Sequence, residues 1–288
     1  MTQTIQELLA KKASGDSQPT QYVDTIEAYD KWAEVYDTDG NFLQRLDTLE
    51  MQSLLPQFID RVRNVQPSEL QPTTPILVDL GCGTGRNTIQ LLAALDTAKI
   101  TPFSVIGLDA SRGMLEVART AMREYTSNST RTTATEVELG IFDLLRPDLL
   151  ESQLPVSLRS VRAVGVISTL VLEHIPLARF FDAVAGIVRT GGYLLVTNMH
   201  AEMGMRSQAG FTDGNGLKVR PTSYCHGIAD VLDAAKGAGF EVEEVVGAGE
   251  DGVVVRAVDE ELADVLGSRA KKWVGIRVWF GVCFVKKR

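Results

Sequence analysis

A chain of 288 residues, 44% hydrophobic and 23% charged, has enough apolar material for one sizeable domain with an appended subdomain and needs no disulfide or metal staples. A net charge of −8 and a pI of about 5.1 argue against a nucleic-acid partner, although Lys271, Lys272 and Arg277 form a local basic cluster. Three distant cysteines (Cys82, Cys225, Cys283), a start without the apolar core of a secretion signal, and no apolar run long enough to cross a bilayer point to a reducing, cytoplasmic setting.

In chain order, residues 1–20 are polar and read as a mobile arm. Helical patterns follow at about 25–36 and 41–65, with Phe42, Leu46 and Leu49 at helical spacing; together, 21–70 make an N-terminal helical cover, and Pro56 is expected to kink or split the second helix. The segment QPSELQPTTP is a linker. From there strand and helix signals alternate: strand PILVDLG, helix 86–98, strand FSVIGLDA, and a helix from Ser111, its expected N-cap, to about 125. The polar loop TSNSTRTTAT contains a glycosylation sequon at Asn128, read as plain loop. Strand EVELGIFDLL, a short helix near 148–153, strand AVGVISTLV, helix LARFFDAVAGIVR and strand GGYLLVTNMH come next. Residues 201–222, rich in Gly and polar side chains, look inserted; a helix at GIADVLDAAKGAGF, a strand at EVEEVVGAG, a helix near 259–271 and a last strand RVWFGVCFV complete the chain. Such alternation predicts an α/β fold, an open, doubly wound sheet over 71–288 whose ligands bind beyond the carboxyl ends of its strands.

The segment ILVDLGCGTGRNT places Gly81, Gly83 and Gly85 at a strand-to-helix turn. The spacing G-x-G-x-G is one residue shorter than the dinucleotide fingerprint, and no G-x-x-x-x-G-K-[ST] loop occurs, so neither phosphate-binding pattern is present. Asp79, two residues before the first glycine, suits an ammonium better than a pyrophosphate. Asp109, at the end of the next strand, can accept from ribose hydroxyls.

Together with VIGLDASRGMLEVAR, VLEHIP and AYDKWAEVYDTD, this turn resembles the class I S-adenosylmethionine-dependent methyltransferases, most closely the small-molecule subgroup typified by ubiquinone and menaquinone biosynthesis. The resemblance covers residues 25–200 best. It implies a mostly parallel, seven-stranded, Rossmann-like sheet and S-adenosylmethionine as cofactor. It further implies that Asp79, Gly81 and Gly83, with Cys82, Asn87 and Thr88 around them, hold the methionine end, and that Asp109 takes the ribose. Ala110, Met114, Phe142, Asp143 and Leu144 would surround the adenine, Ser168 and Thr169 would flank the methyl group, and Tyr29 and Tyr36 would close from the cover.

The chemistry expected is in-line displacement at the activated methyl, with the protein supplying position, electrostatics and, for a protonated acceptor, a base. His174, His200 and His226, with Tyr224, all fall near the carboxyl-end rim and are the candidate catalytic residues. Cys225-His226 is the one adjacent metal-ligating pair, and no metal site is expected. STLVLEHIP stands where base-methylating relatives carry an Asn/Asp-Pro-Pro-Tyr-type stretch, and Met203, Met205 and Phe211 in the insertion offer apolar cover. The expected partner is a small, partly apolar acceptor methylated at oxygen or nitrogen. Protein methylation, or cofactor binding without turnover, is the alternative.

Overall fold

The computed structural model describes residues 4–10, 20–65, 74–99, 103–128, 136–214 and 216–288. Residues 1–3 and 11–19 of the expected arm, most of the linker, and residues 129–135 of the expected polar loop, with the end of its sequon, lie outside them; the first three residues of that loop continue α5. The N-terminal part comprises α1 (Ile5–Ala10), β1 (Thr20–Tyr22), α2 (Thr25–Trp32) and α3 (Phe42–Val62). The alternating part runs β2 (Ile76–Leu80), α4 (Arg86–Ala98), β3 (Ser104–Asp109), α5 (Arg112–Asn128), β4 (Glu136–Ile141), the short α6 (Leu150–Gln153) and α7 (Val156–Ser160), β5 (Ala163–Thr169), α8 (Leu177–Ile187) and β6 (Val188–Met199). The insertion holds α9 (Ala201–Gly204), β7 (Phe211–Thr212) and β8 (Lys218–Arg220). Then come α10 (Ile228–Gly237), β9 (Phe240–Glu243), β10 (Val253–Ala257), α11 (Glu260–Leu266) and β11 (Arg277–Lys286).

The main sheet has the order β4-β3-β2-β5-β6-β11-β10, with β9 also paired to β11. Its first five strands are parallel, and β11 is antiparallel to β6. β10 lies along residues 277–282 of β11 and β9 along 283–286, so one edge position is shared by two short strands joined by an excursion over 244–252. The expected seven positions are thus filled by an eight-stranded sheet.

Alternate residues of each central strand serve two cores. Leu77, Val105, Leu195 and Cys283 face the side covered by α3 and α4. Val78, Ile106, Val196 and Phe284 face α8 and α10. Burial on both faces explains why these strands read as nearly unbroken apolar runs. α3 belongs to the first core: Leu54, Leu55, Phe58, Ile59 and Val62 are buried, and a Cβ on Gly165 would stand 2.7 Å from both Phe58 and Val62. The helix runs uninterrupted through Pro56, which is exposed. The carbonyl that its missing N–H would have met can turn to water there. Buried Asp47 fastens α3 to three other elements. Oδ1 accepts from Thr197 at 2.5 Å and Trp279 Nε1 at 3.1 Å, and Oδ2 from Arg86 and Asn87, both at 2.9 Å.

A second, three-stranded sheet, β1-β8-β7, joins the N-terminal segment to the insertion. α1 docks nearby: Ile5 is fully buried, and its N–H donates to the Ser223 carbonyl at 2.8 Å.

Candidate active site

The turn between β2 and α4 is left-handed at all three glycines, with φ of +75° at Gly81, +53° at Gly83 and +85° at Gly85. Their surroundings differ. A Cβ on Gly81 would meet Val171 Cγ2 at 2.2 Å and one on Gly85 would meet Met122 at 2.9 Å, whereas a Cβ on Gly83 would project into open space. Gly83 donates its N–H to Asp109 Oδ2 at 2.9 Å, and Asp109 Oδ1 accepts from the Ser111 N–H at 2.8 Å. Asp109 therefore pins the turn to the start of α5, which Ser111 caps through Met114 N–H at 3.1 Å. Asp79 is fully buried; Oδ2 accepts from Thr88 at 2.6 Å, and Oδ1 has no partner among the described residues. Burial above all pushes its carboxyl up to about 7.

This turn forms one wall of a cavity of about 730 Å3, counting its open mouth, a size usual for ligand clefts. Tyr29, Tyr36, Gly81, Gly83, Asp109, Ala110, Met114, Phe142, Asp143, Leu144, Thr169 and His174 line it, as do Thr25, Ile26, Leu170, Val171 and Ile175, which the sequence reading did not single out. α2 and the turn that follows it cover the cavity and are tied down by two acids. Asp30 Oδ1 accepts from the Ser111 hydroxyl at 2.6 Å and the Gly113 N–H at 2.9 Å, and Asp37 accepts from Thr84 at 3.0 Å. Asp79, fully buried behind the turn, does not itself line the cavity. With its unpaired oxygen close behind the wall formed by Gly81 and Gly83, and Asp109 on that wall, the set suits an amino acid joined to a nucleoside, the chemistry of S-adenosylmethionine.

A second cavity, of about 770 Å3, shares Tyr29, Tyr36 and Leu170 with the first. Trp32, Phe42, Met199, Met203 and Trp273 supply its apolar wall; Glu173 and Gln208 are its buried polar members, and Arg269 and Lys272 lie at its exposed side. At the junction, Tyr29 Oη lies 2.8 Å from His174 Nε2, and His174 Nδ1 lies 3.0 Å from the Thr222 carbonyl. A carbonyl only accepts, so Nδ1 carries the proton, and in the neutral ring Nε2 accepts from Tyr29. Glu173 Oε1 is 3.3 Å from the same nitrogen. Burial first, then Tyr36 and Glu173, raise the Tyr29 hydroxyl well above its ordinary range and keep it protonated.

The remaining expected residues line neither cavity. His226 is buried and donates from Nε2 to the Leu172 and Ile175 carbonyls at 3.1 and 3.0 Å, which holds the LEHI turn in place. His200 caps α9, its Nδ1 accepting from Glu202 N–H at 3.0 Å. Burial lowers the pKa of both rings. Tyr224 stacks on His226 and donates its backbone N–H to Glu173 O at 2.6 Å. Asn87 donates to Asp47 and Thr169, Thr88 to Asp79 and Ser168 to Leu80 O, while Cys82 is buried with its thiol pushed up by burial. These side chains stiffen the site from behind. Of the basic cluster, Lys271 pairs with Asp264 and Arg277 with Glu202. Among the described residues no helix is long and apolar enough to cross a membrane.

A glycine cradle at the strand ends, flanked by two acids and joined to a second cavity with aromatic and polar walls, is an arrangement suited to group transfer. Residues 77–192 match the family model described as a methyltransferase domain. The chain is 53% identical to an uncharacterised methyltransferase of Emericella nidulans, over 97% of this chain and 99% of that one, and it belongs to that methyltransferase family. Its fold is also that of magnesium protoporphyrin IX methyltransferase from Synechocystis PCC 6803. The form with bound S-adenosylhomocysteine has a TM-score of 0.53 at 16% identity, over 90% of this chain and 94% of that one. The form with bound S-adenosylmethionine has a TM-score of 0.51 at 17% identity, over 90% of each.

Proposed function

We propose that the protein transfers a methyl group from S-adenosylmethionine to the oxygen or nitrogen of a small, partly apolar acceptor. The observation that carries this reading is the pair of cavities meeting at Tyr29, Tyr36 and Leu170, one walled by the glycine turn and Asp109, the other by aromatic and methionine side chains. When bound, the cofactor supplies a methyl group activated by its sulfonium. Asp79 and the Gly81 and Gly83 backbone hold the amino-acid end, Asp109 takes the ribose hydroxyls, and Ala110, Met114, Phe142, Asp143 and Leu144 enclose the base. α2 and the turn after it, latched by Asp30 and Asp37, exclude water. His174 is the catalytic residue of the set, positioned by the Thr222 carbonyl to receive a proton at Nε2 directly or through Tyr29.

The test is calorimetric titration with S-adenosylmethionine and with NAD(P), followed by methyl-transfer assays on small-molecule libraries and on basic proteins. Binding of the first ligand alone, with transfer to small molecules, is expected. Absence of S-adenosylmethionine binding overturns the cofactor assignment. Transfer to proteins alone overturns the acceptor class, and binding without any transfer favours a regulatory role.

A further inference from the structure

The acceptor cavity leaves a specific set of polar atoms unmet. Glu173, Gln208 and Trp273 line it, and each is more than nine-tenths buried. Each has one atom with no hydrogen-bond partner among the described residues: Glu173 Oε2, Gln208 Oε1 and Trp273 Nε1. Their roles are fixed by chemistry. The Gln208 amide nitrogen donates to the Pro221 carbonyl at 2.6 Å, and because that carbonyl can only accept, the amide oxygen is the free end. Indole nitrogen only donates, and a carboxylate only accepts. The wall therefore lacks two donors and one acceptor, and one of the two donors faces a buried carboxylate. Beside that carboxylate, the rings of Tyr29, Trp32 and Tyr36 lie 5.1 to 5.8 Å apart, an aromatic surface that attracts cations.

Building on the methyl-transfer reading above, we infer that the acceptor is a primary or secondary amine on an apolar body and that its nitrogen is the atom methylated. It arrives as an ammonium and meets Glu173 Oε2. A second N–H or O–H of the same molecule meets Gln208 Oε1, and an oxygen of it accepts from Trp273 Nε1. Glu173 is the one of these three beside His174, which lines the cofactor cavity, so the ammonium is placed where the two cavities join. There it gives one proton to the Tyr29 hydroxyl, which passes its own to His174 Nε2, and Glu173 Oε1 faces the imidazolium so formed. The nitrogen lone pair then makes the new N–C bond while the C–S bond of the donor breaks. Its electron pair stays on sulfur, and the products are a methylated ammonium and a thioether.

The experiment offers the full-length protein, with S-adenosylmethionine, matched sets of arylalkyl amines and the alcohols and carboxylic acids of the same skeleton, beginning with phenethylamine and 2-phenylethanol. Mass spectrometry reads the methylated atom. Transfer to amines alone is expected. Glu173→Gln should lower kcat/KM for an amine roughly 100-fold while S-adenosylmethionine affinity and the urea midpoint stay at the parent values. Methylation of alcohols or acids, no transfer to any amine by protein that binds S-adenosylmethionine, or undiminished amine turnover in Glu173→Gln overturns the inference. The wild-type preference for amine over alcohol answers the question even if the variant fails to fold. Loss of S-adenosylmethionine binding by the parent protein would instead defeat the underlying methyl-transfer reading.

Discussion

Gly81 and Gly83 allow the turn's structural and ligand-binding duties to be separated with a single methyl group. Both have left-handed φ, so alanine at either costs about 1–2 kcal/mol of backbone strain. At Gly81 the new Cβ also sits 2.2 Å from Val171 Cγ2 and 3.2 Å from Val171 Cβ. That short branched side chain cannot swing clear, and overpacking adds about 1–3 kcal/mol. At Gly83 the Cβ meets nothing within 4 Å, and Gly83 lines the cofactor cavity, where the proposed ligand would lie against it. Gly83→Ala should therefore lose only about 1–2 kcal/mol in urea unfolding without ligand. Its S-adenosylmethionine affinity should fall roughly 10- to 100-fold by calorimetry, the equivalent of 1.4–2.8 kcal/mol of overpacking against the ligand. Gly81→Ala should show the larger unfolding loss. A Gly83→Ala protein that binds the cofactor within twofold of the parent, with the unfolding loss as expected, would refute the placement of the ligand against this residue.

Asp79 makes the site sensitive to pH. Burial raises its carboxyl to about 7, against about 3.9 in an unfolded chain, so the folded protein binds more protons between those values and its stability falls as pH rises through them. Asp79→Asn should flatten that slope in urea melts of the ligand-free protein. An ammonium facing Asp79 needs the ionised form, so S-adenosylmethionine affinity should rise about tenfold from pH 6 to pH 8 in the parent and stay flat in Asp79→Asn. Asp109→Ala strips acceptors from the Gly83 and Ser111 N–H groups; the protein should lose about 2 kcal/mol of stability but fold, and its cofactor affinity should collapse. Tyr29→Phe removes the 2.8 Å bond to His174 and should cost about 1 kcal/mol in unfolding while lowering kcat more than it raises KM. Asp47→Ala, which leaves Thr197 and Trp279 without their acceptor and Arg86 without its ion pair, should cost about 3–5 kcal/mol in unfolding.

The alternating pattern, the glycine turn and the Ser111 cap were legible because each depends on residues close in sequence. What escaped depended on distant partners. β10 lies beside residues 277–282 in an edge position broken by the 244–252 excursion, and its VVVRA is a short run without clean alternation. Pro56 passed for a helix breaker because only the fold shows that it faces solvent. His174, His200 and His226 were all expected near the strand ends, but their duties were set by Thr222, by Glu202 and by the Leu172 and Ile175 carbonyls. Glu173 stood beside His174 in the LEHIP motif and drew no notice. Its unpaired Oε2, together with Gln208 Oε1 and Trp273 Nε1, appears only when three separate segments close around one cavity.

The divided edge strand has a consequence for solubility. An open sheet exposes unpaired N–H and C=O groups at both margins, and a long flat margin invites a second chain to add a strand. Here one margin is cut into pieces of four and five residues by the 244–252 excursion. At the other margin, β4 carries Glu136 and Glu138. A strand approaching the first side finds too short a ladder, and one approaching the second meets carboxylates. An excursion that looks like a blemish in the fold thus shortens the ladder that this margin could offer to a second chain.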